Sequence, residues 1–238
     1  MAITTGFVAA IAALSNKPSP ASYSAIHQLA RFDNLSGPPV AIQEIGQYLD
    51  LFFQGIYLVP TLNLPGQPGV KPNTPSNMAG FNIVNPVTLL NGPASMTTNY
   101  PDSTVDFFDF ESLWFGCVLP TQETIASLPV SCVITISGFS DIAGTRKVAE
   151  QKEQFRVDGL ISSLIGGTPI GGQPITASAQ MVKAEWSSKF RGLRKVVFAV
   201  DNQSPLSGVL SVALLDTMRY TVWSKSSEHE VFSFSESG

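Results

Sequence analysis

The chain contains two cysteines, Cys117 and Cys132, and each lies inside an apolar run. A disulfide between them would close a loop of about 15 residues, which stabilises the fold by roughly 3 kcal/mol in the chain-entropy model. Such a bond requires the two runs to lie within bridging distance. The sequence therefore predicts a disulfide between neighbouring strands. Two unpaired cysteines, buried as small apolar residues, are the alternative.

A disulfide of this kind persists only in an oxidising compartment, so we expect a secreted, extracellular protein. Glycosylation sequons begin at Asn34 and Asn202 and agree with this location. The apolar run at residues 5–14 is too short to span a bilayer and lacks a preceding basic residue, so no membrane span is expected. We expect it to belong to an N-terminal extension, residues 1–31, that packs on the domain.

Short runs of strand-forming residues, bounded by Gly, Pro, Asn or Ser, follow one another along the chain, and only 13% of the residues are charged. This spacing, with no alternation of strands and helices, is typical of an antiparallel β-sandwich or jelly roll. The sequence predicts an all-β fold with one sandwich domain over residues 32–238. Strands are expected at 50–60, 81–90, 103–119, 130–139, 146–157, 179–186, 194–201, 208–215, 217–224 and 229–234.

Two segments rich in glycine and proline interrupt this pattern, at residues 61–77 and 160–175. Their composition leaves no room for regular structure, so we expect two long loops. Long ordered loops on sandwiches tend to line binding sites, and these two are candidates for the rims of a cleft. A short helix is expected at residues 24–32.

The net charge of −4 and the lack of a basic stripe argue against a nucleic-acid partner. His27 and His229 lack ligand or triad spacing and no GxSxG motif occurs, so no metal centre, nucleophilic triad or cofactor is expected. A structural calcium site at Asp33 and Asp216 is an alternative. The favoured interpretation is that each carboxylate fixes a turn through backbone hydrogen bonds.

Three carboxylates, Asp106, Asp109 and Glu111, lie in one predicted strand. In an extended strand Asp109 and Glu111 point to the same face, and such a pair suits glycoside cleavage. Alternating charges on an exposed sheet face are also ordinary, and this is the interpretation that we favour.

Aromatic side chains occupy both predicted faces of two strands. Strict alternation places two sets of residues on opposite faces of the 103–119 strand. One face carries Phe108, Phe110, Ser112 and Trp114, and the other carries Asp109, Leu113, Phe115 and Cys117. In the 217–224 strand, Trp223 shares a face with Arg219, opposite Tyr220. Large apolar groups on both faces predict that a loop, a partner subunit or a ligand covers the outer face. A minor core, formed by the two long loops folding over these rings, is the alternative.

Three stretches make the chain similar to a group of fungal secreted proteins with single β-sandwich domains: YLDLFFQGIYLV (48–59), FDFESLWFGCVL with its partner Cys132 (108–132), and LLDTMRYTVW (214–223). The FDFESLWFGC block is the specific part, and the likeness covers residues 32–224. The chain also resembles the glycosylated hetero-Diels–Alderases of fungal tropolone-sesquiterpenoid pathways. This resemblance implies a sandwich fold and a cycloaddition activity, and it assigns no catalytic residue.

A cleft lined by rings, with a few hydrogen-bond donors and no strong nucleophile, suits two tasks. The first is an intermolecular hetero-Diels–Alder cycloaddition of small apolar organic substrates, in which positioning and hydrogen bonds to a carbonyl lower the barrier. The residues predicted to be catalytic, as donors, are Arg219, Tyr220 and Tyr57. Those predicted to bind substrate are Trp114, Phe110, Phe108, Ser112 and Trp223. A carboxylate such as Asp109 is a candidate for a preceding dehydration, which the spacing does not support.

The second task is carbohydrate binding without catalysis at the fungal cell surface, through stacking on Trp114 or Trp223. A third possibility is a structural or effector-like protein that uses its aromatic face for self-association. That possibility predicts a homodimer in which these rings are buried.

Overall fold

The structure, a computed structural model, describes residues 22–37, 43–60, 69–83, 86–119, 128–157, 178–202 and 211–225. Within these ranges the chain forms thirteen strands and one short helix, which confirms the predicted all-β fold class. The elements are β1 (Tyr23–Ala30), β2 (Glu44–Tyr48), β3 (Leu51–Pro60), β4 (Gly69–Lys71), β5 (Asn77–Phe81), α1 (Pro86–Asn91), β6 (Ser95–Thr97), β7 (Val105–Val118), β8 (Cys132–Phe139), β9 (Lys147–Phe155), β10 (Ser178–Gln180), β11 (Val182–Glu185), β12 (Lys195–Asn202) and β13 (Val212–Lys225). No helix in these ranges is long and apolar enough to cross a membrane.

Eleven of the strands form one antiparallel sheet. Its order is β11, β7, β13, β5, β3, β6, β12, β8 and β9, while β1 pairs with β13 and β2 with β3. A small second sheet joins β4 and β10 in parallel, which differs from the antiparallel expectation. The loop expected at 61–77 therefore contains a short strand, and the loop expected at 160–175 lies outside the described residues.

The main sheet folds over, so that strands distant in its hydrogen-bonded order meet face to face. Phe198 on β12 contacts Phe110 on β7 and Phe81 on β5, with ring centroids 6.1 and 6.0 Å apart. Phe115 on β7 and Phe155 on β9 approach to 6.3 Å. Burial of each such ring contributes roughly 1.5–3 kcal/mol, so the sandwich-like core between the two layers holds the fold together.

The disulfide between Cys117 on β7 and Cys132 on β8 is confirmed. Five strands stand between β7 and β8 in the hydrogen-bonded order, so the cysteines are not on neighbouring strands, contrary to the prediction. They meet because the segment before β8 pairs with the end of β7, where the amide of Val130 donates to the carbonyl of Cys117 at 2.9 Å, and their Cα atoms lie 6.2 Å apart. The bond therefore links the two layers of the sandwich.

Strands β7 and β13 pair along most of their length but carry bulges at the same place. Trp114 pairs with Asp216 and Phe110 with Tyr220, and the register shifts twice between these two pairs. Thr217, inside the irregular part of β13, has a positive φ of 47°. An extra residue at a bulge reverses the alternation of inward and outward side chains beyond it.

This reversal corrects the predicted two-faced strand. Phe108 and Phe110 point into the core before the bulge of β7, and both are at most 2% exposed. Leu113, Phe115 and Cys117 point into the same core after it, and all are at most 1% exposed. Strict alternation had placed the two sets on opposite faces because it makes no allowance for a bulge.

Beyond the bulge, the opposite face of β7 is also covered. A Cβ added at Gly116 would lie only 2.6 Å from Cγ1 of Val70 on β4, so glycine permits this close approach. The alternative of a minor core, formed by the two long loops folding over the rings, stays a prediction, because residues 61–68 and 160–175 lie outside the described residues.

Two further elements differ from expectation near the N-terminus and the helix. The helix expected at 24–32 is the strand β1, whose eight residues all pair with β13, so this part of the predicted extension belongs to the main sheet. The strand expected at 81–90 ends at Phe81, and α1 follows.

At the other end of the chain, the strands expected at 208–215 and 217–224 are one continuous strand, β13. Residues 1–21 and the strand expected at 229–234 lie outside the described residues. Strands β2 and β6 were not predicted, because each is short and polar in part.

Replacing both cysteines by alanine is expected to lower the free energy of unfolding by about 3 kcal/mol, because the unfolded chain regains the entropy of the closed loop. Chemical denaturation of the wild type and of the Cys117→Ala/Cys132→Ala variant measures the difference. A reductant should destabilise the wild type alone. An equal response of the two proteins would contradict a stabilising disulfide.

Candidate functional site

Five of the eight residues predicted to form the site are buried in the core. Each of the five is at most 7% exposed; they are Tyr57, Phe108, Phe110, Ser112 and Tyr220. The hydroxyl of Tyr220 donates to the carbonyl oxygen of Leu49 at 2.8 Å. Burial raises the pKa of Tyr220 well above its usual range. These side chains fill the sandwich, and of the five only Phe110 borders the pocket described below.

The other three predicted residues lie on the outer side of the sheet. Arg219 is exposed and Trp223 is half-buried on the same face of β13, as alternation predicts. Trp114 is half-buried and packs against the core on the far side of the bulge. The structure therefore does not bring the eight residues together around one cleft.

A pocket with a volume of about 250 Å³ opens beside β7. Its walls come from β7 and from the connection between β11 and β12. The lining residues are Asp109, Phe110, Glu111, Trp186, Ser187, Ser188, Phe190 and Arg191. Two carboxylates, a guanidinium and three aromatic rings thus surround one small volume.

Backbone hydrogen bonds hold the connection between β11 and β12 against β7. The amide of Phe110 donates to the carbonyl of Phe190 at 2.9 Å, and the amide of Trp186 donates to the carbonyl of Glu111 at 3.0 Å. The ring of Trp186 packs on those of Phe110 and Phe190, with centroids 5.5 and 5.6 Å apart. These contacts give the pocket an aromatic wall in a fixed position.

Asp109 and Glu111 are alternate residues of β7, so their Cα atoms are roughly 7 Å apart. Asp109 is held at both oxygens: Oδ1 accepts the amide of Gly192 at 2.8 Å, and Oδ2 accepts the indole N–H of Trp223 at 3.2 Å. Oε1 of Glu111 accepts the hydroxyl of Thr221 at 2.9 Å. Among the described residues Oε2 of Glu111 has no hydrogen-bond partner, which leaves it available to a ligand.

Two donors stand beside these carboxylates. Arg191 is exposed at the rim of the pocket. The indole nitrogen of Trp186 is buried and has no acceptor within the described part of the chain. A buried N–H without an acceptor costs about 1–3 kcal/mol, and because this nitrogen is shielded from solvent, Arg191 is the donor that a ligand in the pocket can reach.

A row of three aromatic rings extends along the outer face from the pocket. Trp223, which bonds to Asp109, stacks on Phe107 at 5.9 Å, and Phe107 contacts Tyr23 of β1 at 5.2 Å. Tyr23 is 38% exposed, and the other two rings are half-buried. We call Tyr23, Phe107 and Trp223 the aromatic row.

Sequence reasoning identified Phe110, Trp223, Asp109 and Glu111 but missed the rest of the site. Phe107 could have been found, because it shares the outward alternation of Asp109. Trp186 belongs to a connection without a motif, and only the fold brings that connection to β7.

The two carboxylates considered for calcium accept amides from distant segments, which differs from the favoured interpretation that each fixes its own turn. The described residues contain no group of three or more candidate metal ligands. Asp216 is buried and accepts the amides of Thr74 and Thr217, while Asp33 accepts the amide of Asn77. Desolvation by burial raises the pKa of Asp216.

Glycosylation at the two sequons remains a prediction. Asn34 is exposed, and its side-chain oxygen accepts the hydroxyl of Tyr48 at 2.6 Å. Asn202 ends β12, and the rest of its sequon lies outside the described residues, as does His229.

Comparison with known proteins assigns no family. No family model matches the chain, and no curated protein matches it. The chain is similar to the crystal structure of a DUF4465 family protein from Bacteroides caccae, over 82% of this chain and 98% of that one, with 13% identity and a TM-score of 0.45. So distant a likeness says nothing about function, which has to be inferred from the site.

Tyr220→Phe is expected to lower the free energy of unfolding by about 1 kcal/mol, because the carbonyl of Leu49 loses its donor in the core. It should leave ligand binding in the pocket unchanged. Chemical denaturation measures the first effect, with Tyr100→Phe, at a half-buried tyrosine, as the control. Normal stability with lost turnover would instead support the catalytic role predicted from the sequence.

Proposed function

We propose that the pocket binds a small organic molecule with a hydroxylated ring and that the protein promotes a hetero-Diels–Alder cycloaddition of it. The observation that carries this proposal is the combination of an aromatic wall with two carboxylates and a guanidinium in one pocket. Rings bind the flat face of a ligand, and polar groups orient its oxygens. Asp109 and Glu111 also belong to the FDFESLWFGC block, on which the resemblance to hetero-Diels–Alderases depends.

The size of the pocket favours one reactant rather than two. Pockets for drug-sized ligands begin at about 300 Å³, and this one has about 250 Å³. A tropolone-type ring suits such a volume, whereas a macrocyclic terpene would lie outside it. The aromatic row adjoins the pocket through Asp109 and offers that second reactant an apolar surface.

The two carboxylates suit the dehydration of a hydroxymethyl tropolone to a quinone methide. In its protonated form, Glu111 gives a proton to the leaving hydroxyl as the carbon–oxygen bond breaks. The ring hydroxyl gives its proton to Asp109, whose oxygens each keep a further lone pair. One water and one neutral quinone methide result, and acid–base catalysis of this kind is worth roughly 10²–10⁴-fold in rate.

The cycloaddition itself needs no covalent catalyst. The quinone methide supplies a four-atom heterodiene that ends in oxygen, the alkene supplies two carbons, and one C–C and one C–O bond form without proton transfer. Holding two reactants in the productive geometry can remove up to about 7–11 kcal/mol of barrier. A donor to the carbonyl oxygen, from Arg191 at the rim of the pocket, lowers it further.

Secretion is part of the same proposal. The disulfide is compatible with an oxidising compartment, in which such bonds persist. Mass spectrometry of the protein secreted by its natural source would test this location, together with glycosylation at Asn34 and Asn202.

Incubation of the purified protein with a hydroxymethyl tropolone and a humulene-type alkene tests the reaction, with the adduct measured by chromatography and mass spectrometry. The wild type should accelerate adduct formation, and Glu111→Gln should slow it by at least about 100-fold, because the leaving hydroxyl loses its proton donor. The matched control is Asp201→Asn, an exposed carboxylate on β12, which should leave the rate unchanged. A rate and product ratio equal to those without protein would remove the proposal.

Supplying a quinone methide that was formed chemically, without the protein, tests the cycloaddition apart from the dehydration. With this substrate Glu111→Gln should recover most of the wild-type rate, since only the dehydration needs a proton from Glu111. An equal loss with both substrates would show that Glu111 binds the ligand rather than protonating it.

Carbohydrate binding without catalysis is a second candidate, and the aromatic row favours it. Sugar rings stack on exposed aromatic faces, and nearby carboxylates accept hydrogen bonds from sugar hydroxyls. The row has Asp109 at one end, and at the other the hydroxyl of Tyr23 donates to Asp106 at 3.0 Å. Tyr23 meets Phe107 edge-on, at an interplanar angle of 60°, so the row offers a glycan chain both edges and faces of rings.

Pull-down on chitin, glucan and xylan tests the second candidate. Phe107→Ala should weaken any binding by up to about tenfold, because one stacking ring is lost. Phe139→Ala, at a half-buried phenylalanine of β8, is the matched control and should bind normally. Glycan binding without adduct formation would favour this candidate, and adduct formation without glycan binding would exclude it.

A further inference from the structure

One hydroxyl joins His27 to Glu111 on the outer face of the sheet. His27 on β1, Thr221 on β13 and Asp109 on β7 stand opposite one another in the pairing of the three strands. Nδ1 of His27 lies 2.8 Å from Oγ1 of Thr221, and the hydroxyl of Thr221 donates to Oε1 of Glu111 at 2.9 Å. Because Glu111 lines the pocket, this chain of hydrogen bonds leads from His27 to the ligand site.

The carboxylate at the end of the chain fixes the direction of each hydrogen bond. Oε1 of Glu111 carries no hydrogen either in the ionised carboxylate or in the acid protonated on Oε2, so the hydrogen between Thr221 and Glu111 belongs to Thr221. The oxygen of Thr221 is then an acceptor toward His27, and Nδ1 of His27 must carry a hydrogen. Thr221 is buried, whereas His27 at one end of the chain and Glu111 at the other are exposed, so with a ligand over Glu111 the imidazole is the end in contact with water.

We infer that His27 and Thr221 return a proton to Glu111 during the dehydration, an inference that rests on the proposed function. Glu111 gives the proton of Oε2 to the leaving hydroxyl, and Thr221 passes its hydroxyl proton to Oε1. Thr221 takes the Nδ1 proton of His27, which water has protonated at Nε2. Exchange with water then restores the Nδ1–H form, so one proton moves in total from solvent to the ligand.

Local sequence patterns cannot reveal this chain. His27 and Thr221 are 194 residues apart, and Thr221 and Glu111 are 110 apart. The other charged or titratable groups beside this face of the three strands are Tyr23, Asp106, Asp109, Arg219 and Lys225, and no hydrogen bond joins any of them to His27 among the described residues.

Nitrogen-15 magnetic resonance of the histidine ring tests the chain, because it reports which ring nitrogen carries the hydrogen. At a pH at which His27 is neutral, the wild type should show the Nδ1–H tautomer, and Thr221→Val should lose it because valine offers no acceptor. Thr135→Val on β8 is the matched control and should keep it. His27→Gln identifies the signal, since His229 is the other histidine.

A wild type with its hydrogen on Nε2, or an unchanged tautomer in Thr221→Val, would overturn the inference. In the adduct assay, Thr221→Val should slow the reaction of the hydroxymethyl tropolone about tenfold, and its affinity for unreactive tropolone should not change. An unchanged rate in this variant would overturn the relay alone. A wild type that forms no adduct would overturn the proposed function and the relay together.

Discussion

The paired bulges of β7 and β13 determine which side chains the core receives. Under strict alternation, Phe110 in the core would place Phe115 and Cys117 on the outside. The bulges reverse the alternation, so both halves of β7 contribute to one core and Cys117 faces Cys132. A residue such as Thr217, held at positive φ, costs about 1–3 kcal/mol. The burial of a single phenylalanine ring offsets a cost of that size.

The bulges also divide the outer face into two parts. Beyond them, Val70 on β4 packs on Gly116 and covers part of the face. Before them, no described element lies over Asp109 and Glu111 except the connection that carries Trp186, and a pocket remains between the two. Bulges often occur beside binding sites because they redirect side chains. Here the bulges of β7 and β13 separate the part of the face that Val70 covers from the part that borders the pocket.

Sequence reasoning succeeded where the signal is local. The disulfide and the strands around 103–119 and 130–139 follow from apolar runs bounded by turn residues. The bulge leaves no such signal in the sequence. From Phe108 to Val118, apolar residues occupy both odd and even positions, so the pattern allows either set to face the core. The predicted grouping of site residues was wrong for this reason, since Tyr220 and Phe108 point into the core. The walls of the pocket were missed because their contacts with β7 join distant parts of the chain.

Asp109 connects the two parts of the candidate site. Its oxygens accept the amide of Gly192 and the indole N–H of Trp223, which are 83 and 114 residues away along the sequence. Gly192 has a φ of 63°, a conformation that glycine adopts without strain, and this lets the pocket wall turn its amide toward the carboxylate. A ligand that competes for either bond therefore acts on the pocket wall and on Trp223 together.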